Sequence, residues 1–180
     1  MTKYKEHRLD KPDVFISAEK ISLRVKELAE KISADYKGEK LTVICVLKGS
    51  FIFCADLVRH INIPVEVEFV QVSSYGSERV SSGEIDFKLP LKNSIEGKNV
   101  IVVEDIVDTG NTLDFLLKYF AEKKPKTLKL TSLLFKPVKL QKEVKIDYLG
   151  FEIEDKYVIG YGLDDNEMYR ELPYIGIVGN

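Results

Sequence analysis

Two uninterrupted apolar runs constrain this chain more than anything else in it. Leu41-Thr-Val-Ile-Cys-Val-Leu47 and Asn99-Val-Ile-Val-Val103 are β-branched and nearly free of polar side chains. A strand that is apolar at every position is buried on both faces, as in a parallel sheet covered by helices on either side. The stretches around the two runs fit that frame. Ser50 to Ile61 reads as a helix closed by Asn62 and Pro64, and Val65 to Val72, with Val65, Val67 and Phe69 alternating, reads as a strand. Asn111 to Lys124 reads as a helix with Leu113, Leu117 and Phe120 on one face, stopped by Pro125 and followed by a strand over Leu128 to Phe135. Upstream, Val14 to Ile16 is a short apolar run. Ser17 is placed to cap a helix whose Ile21, Val25, Leu28 and Ile32 recur at helical spacing, with Gly38 ending the unit. Past Phe135 the pattern loosens, with short strands near Tyr148 to Phe151, Tyr157 to Gly160 and Ile175 to Val178. Strand–helix–strand alternation predicts an α/β fold with a central, mostly parallel sheet flanked by helices. At 180 residues with no repeat or linker, one domain spanning 1–180 is expected.

Ser73 to Leu91 stands apart: Ser- and Gly-rich, charged and without a period. A loop of that length inside a compact domain is usually a lid or binding loop, or disordered. The formal net charge of −2 argues against nucleic acid as the main partner. Met1 to Asp10 is polar, with no apolar core of a secretory signal, and the longest apolar runs are too short to span a membrane. Cys45 and Cys54 lie in apolar surroundings without CxxC or Cys/His company, so they read as reduced, buried thiols of a cytoplasmic protein. No GxGxxG follows a strand, which disfavours a dinucleotide-binding oxidoreductase.

Ligands of such sheets bind beyond the carboxyl ends of the strands. That directs attention to Lys48-Gly49, to Glu104–Thr112 and to the stretch after Phe135. Val102-Val-Glu-Asp-Ile-Val-Asp-Thr-Gly-Asn-Thr-Leu113 carries the strongest chemistry. A buried strand ends in Glu104 and Asp105, Asp108 follows, and Thr109-Gly110-Asn111-Thr112 opens a helix. Free N–H groups and the positive end of the helix dipole make that turn a phosphate cradle, with Gly110 admitting close approach of the anion and the threonine hydroxyls adding donors. Asp108 and the threonines could serve merely as helix caps. Three crowded carboxylates, however, carry a solvation and repulsion cost without structural return, unless a hard cation such as magnesium bridges them to substrate oxygens.

The turn resembles the phosphoribosyl diphosphate signature of the type I phosphoribosyltransferases. Nearly the whole chain is similar to the hypoxanthine-guanine branch of that family, through Val46-Leu-Lys-Gly-Ser50, Ser73-Ser-Tyr-Gly76, Leu134-Phe-Lys-Pro137, Phe151-Glu-Ile-Glu-Asp-Lys-Tyr-Val-Ile-Gly-Tyr161 and Asp164-Asp-Asn-Glu-Met-Tyr-Arg170. The resemblance implies a type I fold with a small hood built from both ends of the chain and a mobile lid at about 73–91. It also implies a magnesium-dependent purine-salvage enzyme. Such an enzyme moves the phosphoribosyl group of phosphoribosyl diphosphate to hypoxanthine or guanine, and is commonly a homo-oligomer (dimer or tetramer).

The roles implied by the resemblance are specific. Asp108 matches the general base that takes the N7 proton of the purine. Glu104 and Asp105 match the residues that hold ribose hydroxyls and metal, and Asp164 a residue near a second metal and the purine 2-position. Asp105, Ile106, Val107, Asp108, Thr109, Gly110, Asn111 and Thr112 form the 5′-phosphate loop. Lys48 and Gly49 match the diphosphate loop, whose Lys48-Gly49 peptide is expected to be cis. Arg170 matches a further diphosphate contact, and Ser74 and Tyr75 fall in the lid. Lys136 matches the donor to the purine O6, Tyr157 the ring that stacks on the base, where relatives often have Phe, and Val158 a backbone contact. By residue type alone, Lys48 and Lys136 read as solvated lysines, Tyr157 as core and Arg170 as a surface salt bridge. Asn111 stands where relatives often carry Lys or Arg, which removes positive charge from the phosphate turn. Two alternatives share the fold: a xanthine-preferring transferase and a non-catalytic nucleotide-sensing regulator.

Overall fold

The computed structural model describes residues 12–73 and 86–178. In chain order these form β1 (Asp13–Ile16), α1 (Ala18–Asp35), β2 (Leu41–Leu47), α2 (Phe51–His60), β3 (Val65–Ser73), β4 (Asp86–Leu89), β5 (Asn99–Val107), α3 (Asn111–Glu122), β6 (Thr127–Phe135), a 3-10 turn (Pro137–Lys139), β7 (Tyr148–Glu152), β8 (Val158–Ile159) and β9 (Ile175–Ile177). Six strands make the main sheet in the order β4-β3-β2-β5-β6-β7. All its neighbours are parallel except the β3–β4 pair, where residues 86–89, expected to belong to the 73–91 loop, instead form an antiparallel edge strand. A second sheet, β1-β9-β8, is antiparallel and draws on both ends of the chain. The type I fold expected from the resemblance is thereby observed.

The apolar runs explain why the sheet has two cores. Successive side chains of a strand leave on opposite faces. Leu41, Val43 and Cys45 of β2 and Ile101 and Val103 of β5 meet the buried stripe of α1 (Ile21, Val25, Leu28, Ile32) and Phe53 and Leu57 of α2. Ile44, Val46, Val100 and Val102 face the other way, onto α3. On α3 it is Leu116, with Leu113 and Phe120, that is fully buried; the expected Leu117 is only part-buried. Ser17 caps α1 as the sequence suggests, its hydroxyl accepting from the Lys20 N–H at 3.4 Å.

β5 runs further than its apolar stretch. Glu104, Ile106 and Val107 continue the ladder opposite Ser132, Leu134 and Phe135 of β6, so residues 105–107 are strand rather than loop. The phosphate turn proper begins at Asp108. The cis peptide also sits one residue earlier than expected, between Leu47 and Lys48.

Gly110 is the N-cap of α3, at φ +80. A methyl group there would run into the backbone carbonyl of Lys142, so chain-to-chain packing as well as the left-handed backbone demands glycine. Gly97, at φ +69, has open space around it. Gly97→Ala is therefore expected to cost only the backbone penalty, about 1–2 kcal/mol. Gly110→Ala is expected to cost roughly 3 kcal/mol or more, with strain added to steric displacement. Urea unfolding of both variants checks the contrast.

Candidate active site

Glu104 and Asp105 leave the carboxyl end of β5 toward different neighbours. Glu104 lines a cavity of about 220 Å³ with Val46, Leu47, Val72, Ile106, Asp108, Thr109, Gly110, Thr112 and Leu113. The residues border this cleft, yet Glu104 Oε2 and Asp108 Oδ1 are shut off from solvent and have no hydrogen-bond partner among the described residues. A larger hollow of about 450 Å³ lies beside Ile95 and Lys124, at the end of the sheet where β5 begins, away from these carboxylates.

Asp105 packs against Gly49. Any side chain at 49 would occupy the space of the Asp105 carboxyl, so the glycine makes room for the acid. Gly162, at φ +102, in turn makes room for the Gly49 carbonyl. Asp105 Oδ1 accepts from the Ile106 N–H at 2.7 Å. Desolvation raises the Asp105 pKa, partly offset by that bond and by the charge of Arg170. Glu104 is pushed well above the ordinary carboxylate range, first by desolvation and then by the Asp105 charge.

Asp108 is not a helix cap. The cap position belongs to Gly110, the Thr109 hydroxyl rather than Asp108 accepts from the Asn111 N–H at 3.5 Å, and Asp108 lines the cavity with one buried carboxylate oxygen left without a partner. The turn around it is rigid: the Thr109 carbonyl accepts from the Gln141 and Lys142 N–H groups at 2.9 and 3.1 Å, and the Val107 carbonyl from the Lys136 N–H at 2.9 Å. Asn111 spends its amide on Gln141 Oε1 at 2.9 Å.

Two further groups complete the site. Lys136, expected from its type alone to be solvated, is 6% exposed, with its ammonium 3.7 Å from Asp155 Oδ1. Lys139 shares that carboxylate at 2.9 Å and is raised in pKa first by it, then by the charge of Asp108. Tyr157 is no core residue: it is 56% exposed, with its hydroxyl donating to Asp165 Oδ1 at 3.3 Å, while Val158 is buried in β8. The second group gathers on the 162–170 turn. Arg170 donates to the Gly162 carbonyl at 2.8 Å and pairs with Asp164 at 2.9 Å and Glu167 at 3.3 Å, and Lys48 reaches the same Glu167 at 2.9 Å.

Among the described residues no three His, Cys, Asp or Glu side chains gather as a cation site. Asp164 is committed to Arg170 through Oδ1 and to the Glu167 N–H through Oδ2. Glu104, with an unpartnered carboxylate oxygen beside Asp105, fits a hard cation whose remaining ligands are supplied by substrate and water. Ser74 and Tyr75 lie outside the described residues. Asp155, Asp165, Gly162 and Glu167 escaped the residue-by-residue reading. Their partners are distant in sequence, and only the Asp-Asp-Asn-Glu run hinted at a purpose.

Residues 16–166 match the phosphoribosyl transferase domain family. The chain belongs to that family. This phosphoribosyltransferase is 43% identical to the hypoxanthine-guanine phosphoribosyltransferase of Bacillus subtilis, over 96% of this chain and 95% of that protein. It is 46% identical to the Dictyostelium discoideum protein of the same name, over 91% and 93%. A crystal structure of a Bacillus anthracis hypoxanthine-guanine phosphoribosyltransferase superposes with a TM-score of 0.89 at 47% identity, covering 93% of this chain and 98% of that one.

The raised Glu104 pKa fixes a stability trend. As pH rises through the ordinary carboxylate range the unfolded chain loses this proton while the folded one keeps it, so stability falls from there up to the folded pKa. Glu104→Gln in metal-free protein is expected to raise Tm at pH 7.5 by about 2–4 °C and to flatten the decline above pH 4.5. Scanning calorimetry across pH tests it.

Proposed function

We propose that this phosphoribosyltransferase works in purine salvage, transferring the 5-phosphoribosyl group of phosphoribosyl diphosphate to hypoxanthine or guanine to give IMP or GMP and diphosphate. The observation that carries the reading is one cavity lined by Glu104, Asp108 and the amino end of α3, with the buried Lys136 tied by its own backbone to the end of β5. The likeness to enzymes of that name along nearly the whole chain supports it.

The N–H groups of the first turn of α3 and the threonine hydroxyls bind the 5′-phosphate. Asp108 accepts the N7 proton as N9 attacks the ribose carbon, and a carboxylate with a lone pair not engaged in any hydrogen bond suits that task. Lys136 donates to the purine O6, held in line by Asp155. The exposed face of Tyr157 stacks on the base, with the Val158 backbone at its edge. Lys48, Gly49 and Arg170 bind the diphosphate, and Ser74 and Tyr75 belong to the lid that closes over it. Glu104 and Asp105 would hold the ribose hydroxyls and magnesium, and Asp164 would serve a second metal and the purine 2-position; magnesium, when bound, would neutralise charge on the departing diphosphate.

Residues 1–180 act as one catalytic domain, its hood formed by β1, β8 and β9. A cytoplasmic setting is supported by two buried, unpaired thiols, and among the described residues no helix is long and apolar enough to cross a membrane. A homo-oligomer is supported by Phe51 on α2 and Val67 and Phe69 on β3, all exposed. Phe69→Glu is expected to shift the sedimentation coefficient toward the monomer.

Lysine offers only donors, and adenine presents an amino group where hypoxanthine and guanine present a carbonyl. Adenine is therefore expected to fall below hypoxanthine in kcat/KM by about a hundredfold or more. Asp108→Asn is expected to lower kcat by roughly 10²- to 10⁴-fold. Nucleotide formation from phosphoribosyl diphosphate with hypoxanthine, guanine, xanthine and adenine measures both. Turnover dominated by xanthine would overturn the base preference. Absence of turnover in folded protein that binds the donor would leave a nucleotide-sensing regulator.

A further inference from the structure

Glu167 has no part in the reaction as set out above, yet it holds both cations assigned there to the diphosphate. One oxygen, Oε2, accepts from Lys48 Nζ at 2.9 Å and from Arg170 Nη2 at 3.3 Å. The two cations come from opposite ends of the chain, 119 residues separating Lys48 from Glu167. The carboxylate is thus the bond between the loop after β2 and the 162–170 turn.

The turn is built to present it. Asn166, Glu167 and Tyr169 all have positive φ, at 51, 66 and 72°, a conformation that non-glycine residues adopt at a cost. Asp165 and Met168 exchange reciprocal backbone hydrogen bonds at 3.1 and 3.0 Å, and the Glu167 N–H is fixed by Asp164 Oδ2 at 2.9 Å. The two cations are held differently. Arg170 is 18% exposed at the side chain and keeps Asp164 and the Gly162 carbonyl if Glu167 departs. Lys48 is 52% exposed, and Glu167 itself is 65% exposed, so the carboxylate can swing into water and be solvated at once.

We propose that Glu167 is a stand-in for the diphosphate: it spans Lys48 and Arg170 while the site is empty, yields them to the incoming diphosphate group, and takes them back as product diphosphate leaves. The inference rests on the assignment of Lys48 and Arg170 to that group. A diphosphate carries more charge and more acceptor oxygens than one carboxylate, so it wins the two cations. The displaced carboxylate remains close by as a negative charge. It keeps the cations in place before binding, weakens the hold on the product and returns the loop to its starting position. Lys48 and Arg170 also hold the Glu167 carboxyl below its usual pKa, so it is ionised throughout the neutral range. Glu167 is in this sense a positioning residue for the leaving-group site.

Calorimetric titration of magnesium diphosphate into the whole protein tests the proposal with wild type, Glu167→Gln, Lys48→Ala and the double variant. Glu167→Gln is expected to tighten diphosphate roughly three- to tenfold, the scale of two partly exposed ion pairs. KM for phosphoribosyl diphosphate should fall alongside, and kcat should fall when diphosphate release limits turnover. In the Lys48→Ala background the effect of Glu167→Gln should shrink, which a loss of loop structure alone would not produce. Glu167→Asp, which keeps the charge, should restore weaker binding. Unchanged or weaker diphosphate binding by Glu167→Gln, with Lys48→Ala clearly impaired, overturns the stand-in role and leaves the site assignment standing. Lys48→Ala and Arg170→Ala that both bind diphosphate like wild type overturn the assignment, and the inference with it.

Discussion

Keeping two adjacent carboxylates at the buried end of β5 is the constraint to which the rest of the site answers. Desolvation opposes ionisation of both Glu104 and Asp105, the Asp105 charge opposes that of Glu104 further, and a chain selected for stability alone gains nothing from placing them there. The surroundings relieve Asp105 but not Glu104. Asp105 receives the Ile106 N–H and the field of Arg170, and two glycines are given up to its packing: Gly49, whose missing side chain leaves space for the acid, and Gly162, which leaves space for Gly49. Glu104 keeps an oxygen with no partner. A buried acceptor left open in this way is a standing demand for a cation or a donor, which the substrate complex supplies.

The pleat of β5 turns that pair of acids into a junction. Neighbouring residues of a strand depart on opposite faces. Glu104 accordingly shares a cavity with Thr112 and the amino end of α3, while Asp105 meets the loop after β2. One strand end thus touches both the phosphate turn and the diphosphate loop. Its continued pairing with β6 brings in the third element, since the Val107 carbonyl holds the backbone of the buried Lys136.

What could be seen in the sequence was what is local. Apolar runs announced β2 and β5, Ser17 announced α1, and the Glu-Asp-x-x-Asp-Thr-Gly run announced the carboxylates crowded at the end of β5. β5 was undercounted because Glu104 and Asp105 look like a turn; the ladder opposite Ser132, Leu134 and Phe135 overrides their low strand propensity. Gly110 was rightly marked as needing glycine, but for closeness to an anion. The structure adds the Lys142 carbonyl, 32 residues away, which no local pattern contains. Glu167 and Asp155 were invisible for the same reason. An acid is informative only beside its cation, and Lys48 is 119 residues from Glu167.

Tyr157 and the 162–170 turn are mechanically linked. Tyr157 closes toward Asp165, and Asp165 is locked to Met168 by two backbone hydrogen bonds within the turn that carries Asp164, Glu167 and Arg170. A phenylalanine at 157 would stack on a base equally well and would lack this tie. The hydroxyl adds little affinity for the base itself, because it is spent on the turn. Its effect is to tie the ring to the turn that carries Asp164, Glu167 and Arg170. A turn with three left-handed side-chain-bearing residues, closed by that pair of backbone hydrogen bonds, has few alternative arrangements and gives the Tyr157 hydroxyl a fixed acceptor.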